Sequence, residues 1–290
     1  MTSKGGGQTI GETLGGFHSR LEKISDTPGL DAQVLLAHQM KRSRSWVMAH
    51  PEILLTVSQI SALEEGIARL EGGQPLAYIL GAWEFFGLQF EVTPDVLIPR
   101  PETELLVEKA IKWLKEYPSR DGAMKVMDVG TGSGCISIAI AVSVSDINIT
   151  ATDISAAALK VAGKNAERMQ VSDRITFIEA DLFPLISTSN PCSLIVANLP
   201  YIPTKTLYKS SVYGREPTLA LDGGPDGLVI IRRFLEEATT WLLPGGRLLF
   251  EIEASEGPAA KFMASRTFPN ALITLHKDLS GRDRLLEVQT

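Results

Sequence analysis

Two stretches in the first quarter of the chain space their hydrophobic residues as amphipathic helices do. In residues 31–40 the hydrophobic side is formed by Val34, Leu35, Leu36 and Met40. In residues 56–73 it is formed by Ile60, Leu63, Ile67 and Leu70. Spacings of three and four residues place such positions on one helical face, and Gly72-Gly73 ends the second pattern. Residues 1–76 are therefore predicted to form a small helical domain, whose Gly-rich start, roughly the first ten residues, is disordered.

From residue 77 the spacing of hydrophobic residues changes from that of a helix to the alternation typical of a β-strand. Aromatic and branched residues alternate with polar ones around Gly87 and Pro94, which predicts a β-hairpin. We therefore assign residues 77–98 to a hairpin linker. Residues 99–290 form the main domain, which begins with a helix near Glu102.

Strand patterns alternate with helix patterns from Lys125 to the C-terminus. Strands are predicted over 125–130, 148–155, 174–183, 193–200, 245–253, 271–279 and 283–289, and helices over 134–142, 156–169 and 227–242. Strands separated by helices form parallel sheets with right-handed crossovers, so the fold class is α/β. Only three residues join the last two strands, which must then form a hairpin. We expect one strand at an edge of the sheet to run antiparallel.

The composition argues against several functional classes. The net charge is −6 and the pI about 5.4, whereas affinity for nucleic acid comes from Lys and Arg on phosphates. The hydrophobic runs are too short to cross a membrane, and the N-terminus lacks the apolar segment of a signal peptide. Two cysteines without a CxxC pair and four histidines argue against a metal site. We expect a cytoplasmic monomer with no nucleic-acid or membrane partner.

A Gly-rich turn follows the first strand of the main domain. It consists of Gly130, Thr131, Gly132, Ser133 and Gly134. Glycines let the backbone turn tightly and approach a ligand closely. The spacing differs from the GxGxxG of dinucleotide enzymes, and the GxxxxGK[ST] of ATP-binding loops does not occur. The turn is a candidate cofactor loop.

Acidic residues end the next two strands. Asp153 lies about 20 residues beyond the glycines, where a carboxylate can accept hydrogen bonds from both hydroxyls of a ribose. Asp181 can accept from an adenine amino group, and Leu182 can pack on the ring. Either aspartate alone fits a helix cap or a turn equally well. Together at successive carboxyl ends of strands, where α/β proteins bind ligands, they predict an adenosine site.

This arrangement resembles the class I S-adenosylmethionine-dependent methyltransferases over roughly residues 125–290. The resemblance implies a Rossmann-like sheet of seven strands whose last strand is antiparallel. It also implies S-adenosylmethionine as the cofactor and S-adenosylhomocysteine as the product. The cofactor-binding residues that it implies are those of the glycine turn, Asp153, Asp181, Leu182 and Asn198.

The fourth strand ends in Asn198-Leu199-Pro200-Tyr201, which we call the bracket. It resembles the [ND]PP[YF] motif of methyltransferases that act on planar amino or amide nitrogens, with Leu199 in place of the usual Pro. The lone pair of such a nitrogen is delocalised, so acceptors aimed at its two hydrogens localise electron density on it and orient it. The expected acceptors are the side-chain carbonyl of Asn198 and the backbone carbonyl of Leu199. Tyr201 is expected to stack on the planar group or to wall the pocket.

Three further segments of the sequence indicate which planar nitrogen is the substrate. Residues 96–104, 215–228 and 75–90 resemble segments of the HemK-type peptide chain release factor glutamine N5-methyltransferases. The resemblance then covers roughly residues 31–290. It implies an N-terminal domain that helps to dock a release factor, and methyl transfer to the Gln of that factor's Gly-Gly-Gln motif. Besides the four bracket residues, Arg100 and Glu102 are candidate substrate-binding residues, although a salt-bridged helix start explains them equally well.

Other functions stay open at this point. A related enzyme would methylate a glutamine of a ribosomal protein. An adenine-N6 methyltransferase of nucleic acid would need a basic groove and a pocket for a flipped base. A non-catalytic module would use the cofactor fold as a scaffold. The chain also contains Gly-Gly-Gln at residues 6–8 and 72–74, so methylation of the protein by itself is a further alternative.

Overall fold

The computed structural model describes residues 7–117, 123–185 and 191–290. The chain divides into two compact units, Met1–Gly81 and Ala82–Thr290. The first unit is helical, and the second contains the sheet.

The helical unit has a hydrophobic core of its own, which includes Phe17, Leu35 and Leu63. Its helices are α1 (Ile10–Leu21), α2 (Pro28–Met40), α3 (Arg44–Ala49), α4 (Val57–Glu71) and α5 (Leu76–Leu80). Because α5 contributes Leu76, Ile79 and Leu80 to this core, the unit extends five residues beyond the predicted boundary at residue 76.

The predicted disorder of the first ten residues is wrong for Thr9 and Ile10. Thr9 forms a β-bridge with Leu54, and its side chain accepts a hydrogen bond from the backbone N–H of Glu12. The Glu12 side chain accepts one from the backbone N–H of Thr9, which completes a capping box at the start of α1. Residues 1–6 lie outside the described residues.

The second unit contains a two-stranded and a seven-stranded sheet. The strands are β1 (Ala82–Phe85), β2 (Leu88–Glu91), β3 (Met124–Val129), β4 (Ile147–Asp153), β5 (Ile175–Glu179), β6 (Cys192–Ala197), β7 (Leu242–Glu251), β8 (Leu272–Lys277) and β9 (Asp283–Gln289). The large sheet has the order β5-β4-β3-β6-β7-β9-β8. The predicted antiparallel last strand is confirmed, because β9 pairs antiparallel with β7 and β8. Its predicted place at an edge is wrong, since β8 is the edge strand.

Helices cover both faces of the large sheet. They are α6 (Glu104–Glu116), α7 (Cys135–Ser143), α8 (Ala156–Arg168), the short α9 (Thr204–Leu207), α10 (Val229–Trp241) and α11 (Gly257–Thr267). Side chains of α6, α7 and α8 join one core cluster, and those of α10 and α11 join another. Successive strand residues alternate between the two, as Val126 and Met127 do. None of the helices in the described ranges combines the length and hydrophobicity that a membrane crossing requires.

The predicted hairpin occupies Ala82–Glu91, a narrower range than residues 77–98. Phe86 and Gly87 form its turn, and both have positive φ, as the tightest type of hairpin turn requires.

Asn165 of α8 fixes the end of the hairpin. Its side chain accepts from the backbone N–H of Glu91 at 2.7 Å and donates to the backbone carbonyls of Glu91 and Ser133. The hairpin is thereby connected to the glycine turn.

The order of the strands locates the functional region. The chain runs from β3 outward through β4 to β5, and then returns to place β6 on the other side of β3. In open α/β sheets such a reversal of strand order leaves a crevice at the carboxyl ends of the strands. The glycine turn follows β3 and the bracket follows β6, so both lie at this crevice.

A buried carboxyl group of this unit has consequences for stability. Glu256 is 8% exposed, and neither of its carboxyl oxygens has a hydrogen-bond partner among the described residues. Burial, and next the charge of Glu253, raises the pKa of Glu256 to about 7. A carboxyl whose pKa is raised by folding favours the folded state at low pH, and this contribution is lost as the pH rises through about 7.

We expect Glu256→Gln to stabilise the protein at alkaline pH. Thermal unfolding at about pH 8 should show a midpoint raised by about 2–4 °C, as for about 1 kcal/mol in a domain of this size. The gain should shrink at about pH 5, where the native carboxyl is protonated. The exposed Glu108→Gln serves as the control. A constant difference between Glu256→Gln and the native protein across this pH range would contradict the assignment.

Candidate active site

A cavity of about 580 Å³ lies at the carboxyl ends of the strands. This volume is within the range of small-molecule sites. Its lining includes most of the predicted site residues, namely Gly130, Thr131, Gly132, Ser133, Asp153, Asp181, Leu182, Asn198, Leu199, Pro200 and Arg100. Gly134, Tyr201 and Glu102 do not line it. Glu102 is exposed, and Gly134 is the N-cap of α7.

Gly134 has a packing role. Its φ is +80°, and a Cβ at this position would lie 2.9 Å from Ile138 and 3.1 Å from Ala162. The absence of a side chain therefore lets α7 begin close to α8. Gly130 lies where the glycine turn approaches the bracket. A Cβ at this position would lie 3.0 Å from Cδ2 of Leu199.

Asp128 supports the glycine turn from within the core. It is fully buried at the end of β3, and its Oδ2 accepts from the hydroxyl of Thr131 at 2.6 Å and from the backbone N–H of Ser137 at 3.2 Å. Its Oδ1 has no partner among the described residues. Burial raises the pKa of the carboxyl to about 6. The sequence prediction missed this residue, although it lies only two residues before Gly130.

Asp153 connects the second strand end to the glycine turn. Its Oδ2 accepts from the backbone N–H of Gly132 at 2.9 Å, and its Oδ1 accepts from that of Ser155 at 2.9 Å. Burial raises the pKa of this carboxyl. A carboxylate has about four acceptor positions, so these hydrogen bonds leave room for one from a ligand.

Asp181 has a partner that the sequence did not predict. Its Oδ2 accepts from Nη2 of Arg233 at 2.9 Å, and both side chains are about half exposed. Arg233 also lines the cavity. The adjacent Leu182 has a φ of +66°, and its carbonyl accepts from the hydroxyl of Thr152 at 2.7 Å. That hydrogen bond fixes Leu182 at the cavity wall.

The bracket presents Asn198 to the cavity in a defined orientation. The Asn198 side-chain Nδ2 donates to the hydroxyl of Thr103 at 3.0 Å. Tyr201 does not wall the cavity. Its hydroxyl donates to the buried carboxylate of Glu251 at 3.2 Å, and burial raises the pKa of the phenol. The predicted stacking of Tyr201 on the substrate stays a prediction.

A backbone ladder fixes the segment behind the bracket. Ile202 N–H donates to the carbonyl of Leu221, Gly223 N–H to that of Ile202, and Thr204 N–H to that of Gly224, at 2.9 to 3.0 Å. A Cβ on Gly223 would lie 2.8 Å from Cα of Tyr201. Only glycine fits this approach, which explains why the Gly-Gly pair of residues 215–228 accompanies the bracket.

Arg100 and Glu216 join the two flanking segments. Nη2 of Arg100 donates to Oε1 of Glu216 at 2.5 Å, and the backbone N–H of Ile98 donates to Oε2 at 3.2 Å. Glu216 is buried, and residues 217–220 beside it line the cavity. The salt bridge anticipated at the helix start is thus formed by Arg100, with a partner 116 residues away.

We expect Glu216→Gln to lower the free energy of unfolding by about 1.5–3 kcal/mol, because a buried charged acceptor of two hydrogen bonds is lost. Denaturant titration at neutral pH measures this. The matched control is Glu116→Gln, which removes an exposed partner of Lys112 and should cost less than about 1 kcal/mol. Equal costs for the two substitutions would contradict the assigned role of Glu216.

The surroundings of neither cysteine favour a nucleophilic thiolate. Cys135 lines the cavity, but burial raises its pKa to about 12. Burial raises the pKa of Cys192 to about 11. Both thiols are protonated at neutral pH, and the thiolate is the reactive form.

The comparison with known proteins decides the family. A family model described as the PrmC N-terminal domain matches residues 12–81, and one described as ribosomal protein L11 methyltransferase (PrmA) matches residues 107–210. A release factor glutamine methyltransferase of Coxiella burnetii is 39% identical over 96% of this chain and 98% of its own. That of Bacillus subtilis is 34% identical over 88% and 89%. This chain belongs to the release factor glutamine methyltransferase family. The resemblance stated from the sequence is confirmed.

Two solved structures are similar in fold to this family member. A methyltransferase from Pyrococcus furiosus has a TM-score of 0.51 and 17% identity, over 81% of this chain and 98% of its own. A Thermus thermophilus 16S rRNA methyltransferase in complex with AdoMet and guanosine has a TM-score of 0.51 and 16% identity, over 72% and 49%. These likenesses confirm the class I methyltransferase fold, and at this identity they carry nothing about the substrate.

Proposed function

We propose that this family member transfers a methyl group from S-adenosylmethionine to the side-chain amide nitrogen, N5, of the Gln in the Gly-Gly-Gln motif of peptide chain release factors. The observation that carries the proposal is the placement of Asn198 at the cavity with its Nδ2 held by Thr103. Its Oδ1 is left to accept from a substrate amide. Identity to release factor glutamine methyltransferases over nearly the whole chain supports the choice of substrate.

The residues at the cavity fit S-adenosylmethionine. Asp153 keeps acceptor positions suited to ribose hydroxyls, and the glycine turn bends its backbone to the cavity. From within the core, Asp128 supports that turn through the hydrogen bond that its Oδ2 accepts from the hydroxyl of Thr131. Leu182 offers an apolar surface for a base, and Asp181 an acceptor for its amino group. When bound, the cofactor supplies an electrophilic methyl group on a sulfonium sulfur.

The bracket would then orient the nucleophile. A primary amide nitrogen carries two hydrogens, and the bracket offers two carbonyl acceptors, the side chain of Asn198 and the backbone of Leu199. Holding both hydrogens fixes the plane of the amide and opposes delocalisation of its lone pair. The proton can leave after methyl transfer, when the nitrogen is acidic, so the site needs no strong general base.

The N-terminal helical unit is proposed to contact the release factor. The match of residues 12–81 to the PrmC N-terminal domain supports this assignment. Hydrogen exchange of the backbone amides in residues 7–81 should slow when a release factor is added. Unchanged exchange in this unit, with methyl transfer intact, would contradict docking through it.

Label transfer from radioactive S-adenosylmethionine tests the function. The native protein is incubated with a release factor, with the same factor carrying Gln→Ala in its Gly-Gly-Gln motif, with ribosomal proteins, and with RNA or DNA. We expect label on the unaltered release factor alone. Label on ribosomal protein or nucleic acid instead would contradict the proposal, and label on the methyltransferase itself would indicate self-methylation.

A further inference from the structure

A continuous run of hydrogen bonds leads from the bracket into the protein interior. Nδ2 of Asn198 donates to Oγ1 of Thr103 at 3.0 Å, and Oγ1 of Thr103 donates to Oε2 of Glu251 at 2.6 Å. The hydroxyl of Tyr201 donates to the other oxygen of Glu251 at 3.2 Å. Thr103 and Glu251 are each 2% exposed, so water does not compete for these bonds.

Glu251, at the inner end of this run, determines which atom donates in each hydrogen bond. Burial raises the pKa of Glu251, and the hydrogen bond from Thr103 and the charge of Arg284 oppose that rise. In its carboxylate form each oxygen of Glu251 only accepts, and each faces a hydroxyl donor. Thr103 has one proton, which it donates to Glu251, so its oxygen can only accept from a further neighbour. The Asn198 atom that faces it must therefore be the amino group, and the carbonyl oxygen Oδ1 points the other way along the side-chain amide.

This constraint matters because an asparagine amide is nearly symmetric in shape. A rotation of its terminal group by half a turn exchanges oxygen and nitrogen at little steric cost. In the rotated form, Asn198 would present two N–H donors to the two N–H donors of a substrate amide. The backbone carbonyl of Leu199 would then be the one acceptor of the bracket, and only one of the two hydrogens of the substrate amide would be held.

We propose that Thr103 and Glu251 are positioning residues, which hold Asn198 in the orientation that presents Oδ1 to the substrate amide. Both act through Asn198. The inference rests on the proposed function for its kinetic consequence, whereas the orientation of Asn198 itself can be measured without substrate. Thr103 lies at the end of a short helix, Pro101–Thr103, and Glu251 ends β7, so three elements meet at Asn198.

Two substitutions at Thr103 distinguish the effect of its hydroxyl from the effect of its side-chain shape. Thr103→Val keeps the shape and removes the hydroxyl, and Thr103→Ser keeps the hydroxyl. We expect Thr103→Val to lower kcat for a release factor about 10- to 100-fold, the cost of misplacing a reacting group. The KM for S-adenosylmethionine should stay unchanged. Thr103→Ser should restore kcat to within about threefold of the native value, a difference of about 0.7 kcal/mol.

The control is Thr240→Val. Thr240 is exposed on α10, and its hydroxyl donates to the backbone carbonyl of Glu237. This variant removes a threonine hydroxyl that is not bonded to the bracket, so kcat should stay at the native value. A native kcat in Thr103→Val would overturn the proposal. An equal loss in Thr103→Ser would also overturn it, because the hydroxyl would then not be the cause.

A second measurement reads the orientation directly. The side-chain NH2 signals of Asn198 in a ¹H–¹⁵N spectrum are identified by their absence from the Asn198→Asp spectrum. We expect the hydrogen bonded to Thr103 to exchange slowly with solvent in the native protein and in Thr103→Ser, and faster in Thr103→Val. Identical exchange in all three would overturn the proposal, and unchanged signals elsewhere show that Thr103→Val folds.

The two measurements separate this inference from the proposed function. If the native protein does not methylate a release factor but its Asn198 signals respond to Thr103→Val, the proposed substrate is wrong and the positioning holds. If the native protein methylates the factor and neither kcat nor the Asn198 signals respond, the positioning is wrong and the function holds.

Discussion

Replacing Asn198 by alanine is expected to lower turnover on a release factor about 100- to 1000-fold, which corresponds to about 2.7 to 4 kcal/mol of activation free energy. The substitution removes the only side-chain carbonyl that the bracket presents, and leaves the backbone carbonyl of Leu199 to hold one hydrogen of the substrate amide. Cofactor affinity should change by less than about threefold, because the acceptors of Asp153 and the glycine turn are untouched.

The control for this result is Asn148→Ala, which removes an exposed amide on β4. Single-turnover rates with saturating S-adenosylmethionine, combined with calorimetric titration of the cofactor, separate chemistry from binding. Native turnover in Asn198→Ala would contradict the orienting role of the bracket. A loss of cofactor binding equal to the loss of turnover would show that Asn198 acts on the cofactor instead.

Replacing Asp153 by alanine is expected to weaken S-adenosylmethionine binding by about 10- to 100-fold or more, since each hydrogen bond to a charged group contributes about 1.5–3 kcal/mol. The carboxylate is the proposed acceptor for the ribose, and it also holds the backbone N–H groups of Gly132 and Ser155. Both losses act on the same binding step, so the dissociation constant should rise far more than kcat falls at saturating cofactor.

Isothermal titration with S-adenosylmethionine and S-adenosylhomocysteine measures this effect. Asp173→Ala is the control, because Asp173 is an exposed aspartate of the same unit. Native affinity in Asp153→Ala would contradict the assignment of the second strand end to the cofactor.

The main features of the fold and the cavity could be predicted because they depend on local pattern and chain order. A strand that runs into glycines lies beside one that ends in Asp153, and the next strand ends two residues before Asp181. Parallel neighbours of this kind bring these groups together. The hairpin of the last two strands was also predictable, since a three-residue connection permits little else. The same argument does not decide which strand of the hairpin joins β7, and the antiparallel strand, β9, lies inside the sheet where an edge position was expected.

The contacts that give the site its orientation could not be predicted in the same way. Thr103 and Glu251 are 148 residues apart, and Arg100 and Glu216 are 116 apart. Periodicity carries no information on such pairings, because they depend on which strand ends meet in space. Glu251 did carry a signal, since it ends β7 as Asp153 ends β4, and a search for polar residues at every strand end would have found it.

Leu199 is the bracket residue that departs from the motif. It stands where the [ND]PP[YF] pattern has proline, and the loss of a rigid ring would be expected to loosen the bracket. Here Leu199 is only 4% exposed, and its Cδ2 fills the space that a side chain on Gly130 would need. Packing against the glycine turn, together with the ladder to residues 221–224, holds the bracket by other means.

The most direct test of the central claim is the position of the methyl group on the product. A release factor incubated with the native protein and S-adenosylmethionine is digested and sequenced by tandem mass spectrometry. We predict one added methylene on the Gln of its Gly-Gly-Gln motif, with methylamine released when that residue is hydrolysed, which places the methyl group on the side-chain nitrogen. Asn198→Ala should leave this residue unmodified over the same time. A methyl group on any other residue or atom of the release factor, or none in the presence of bound cofactor, would contradict the account.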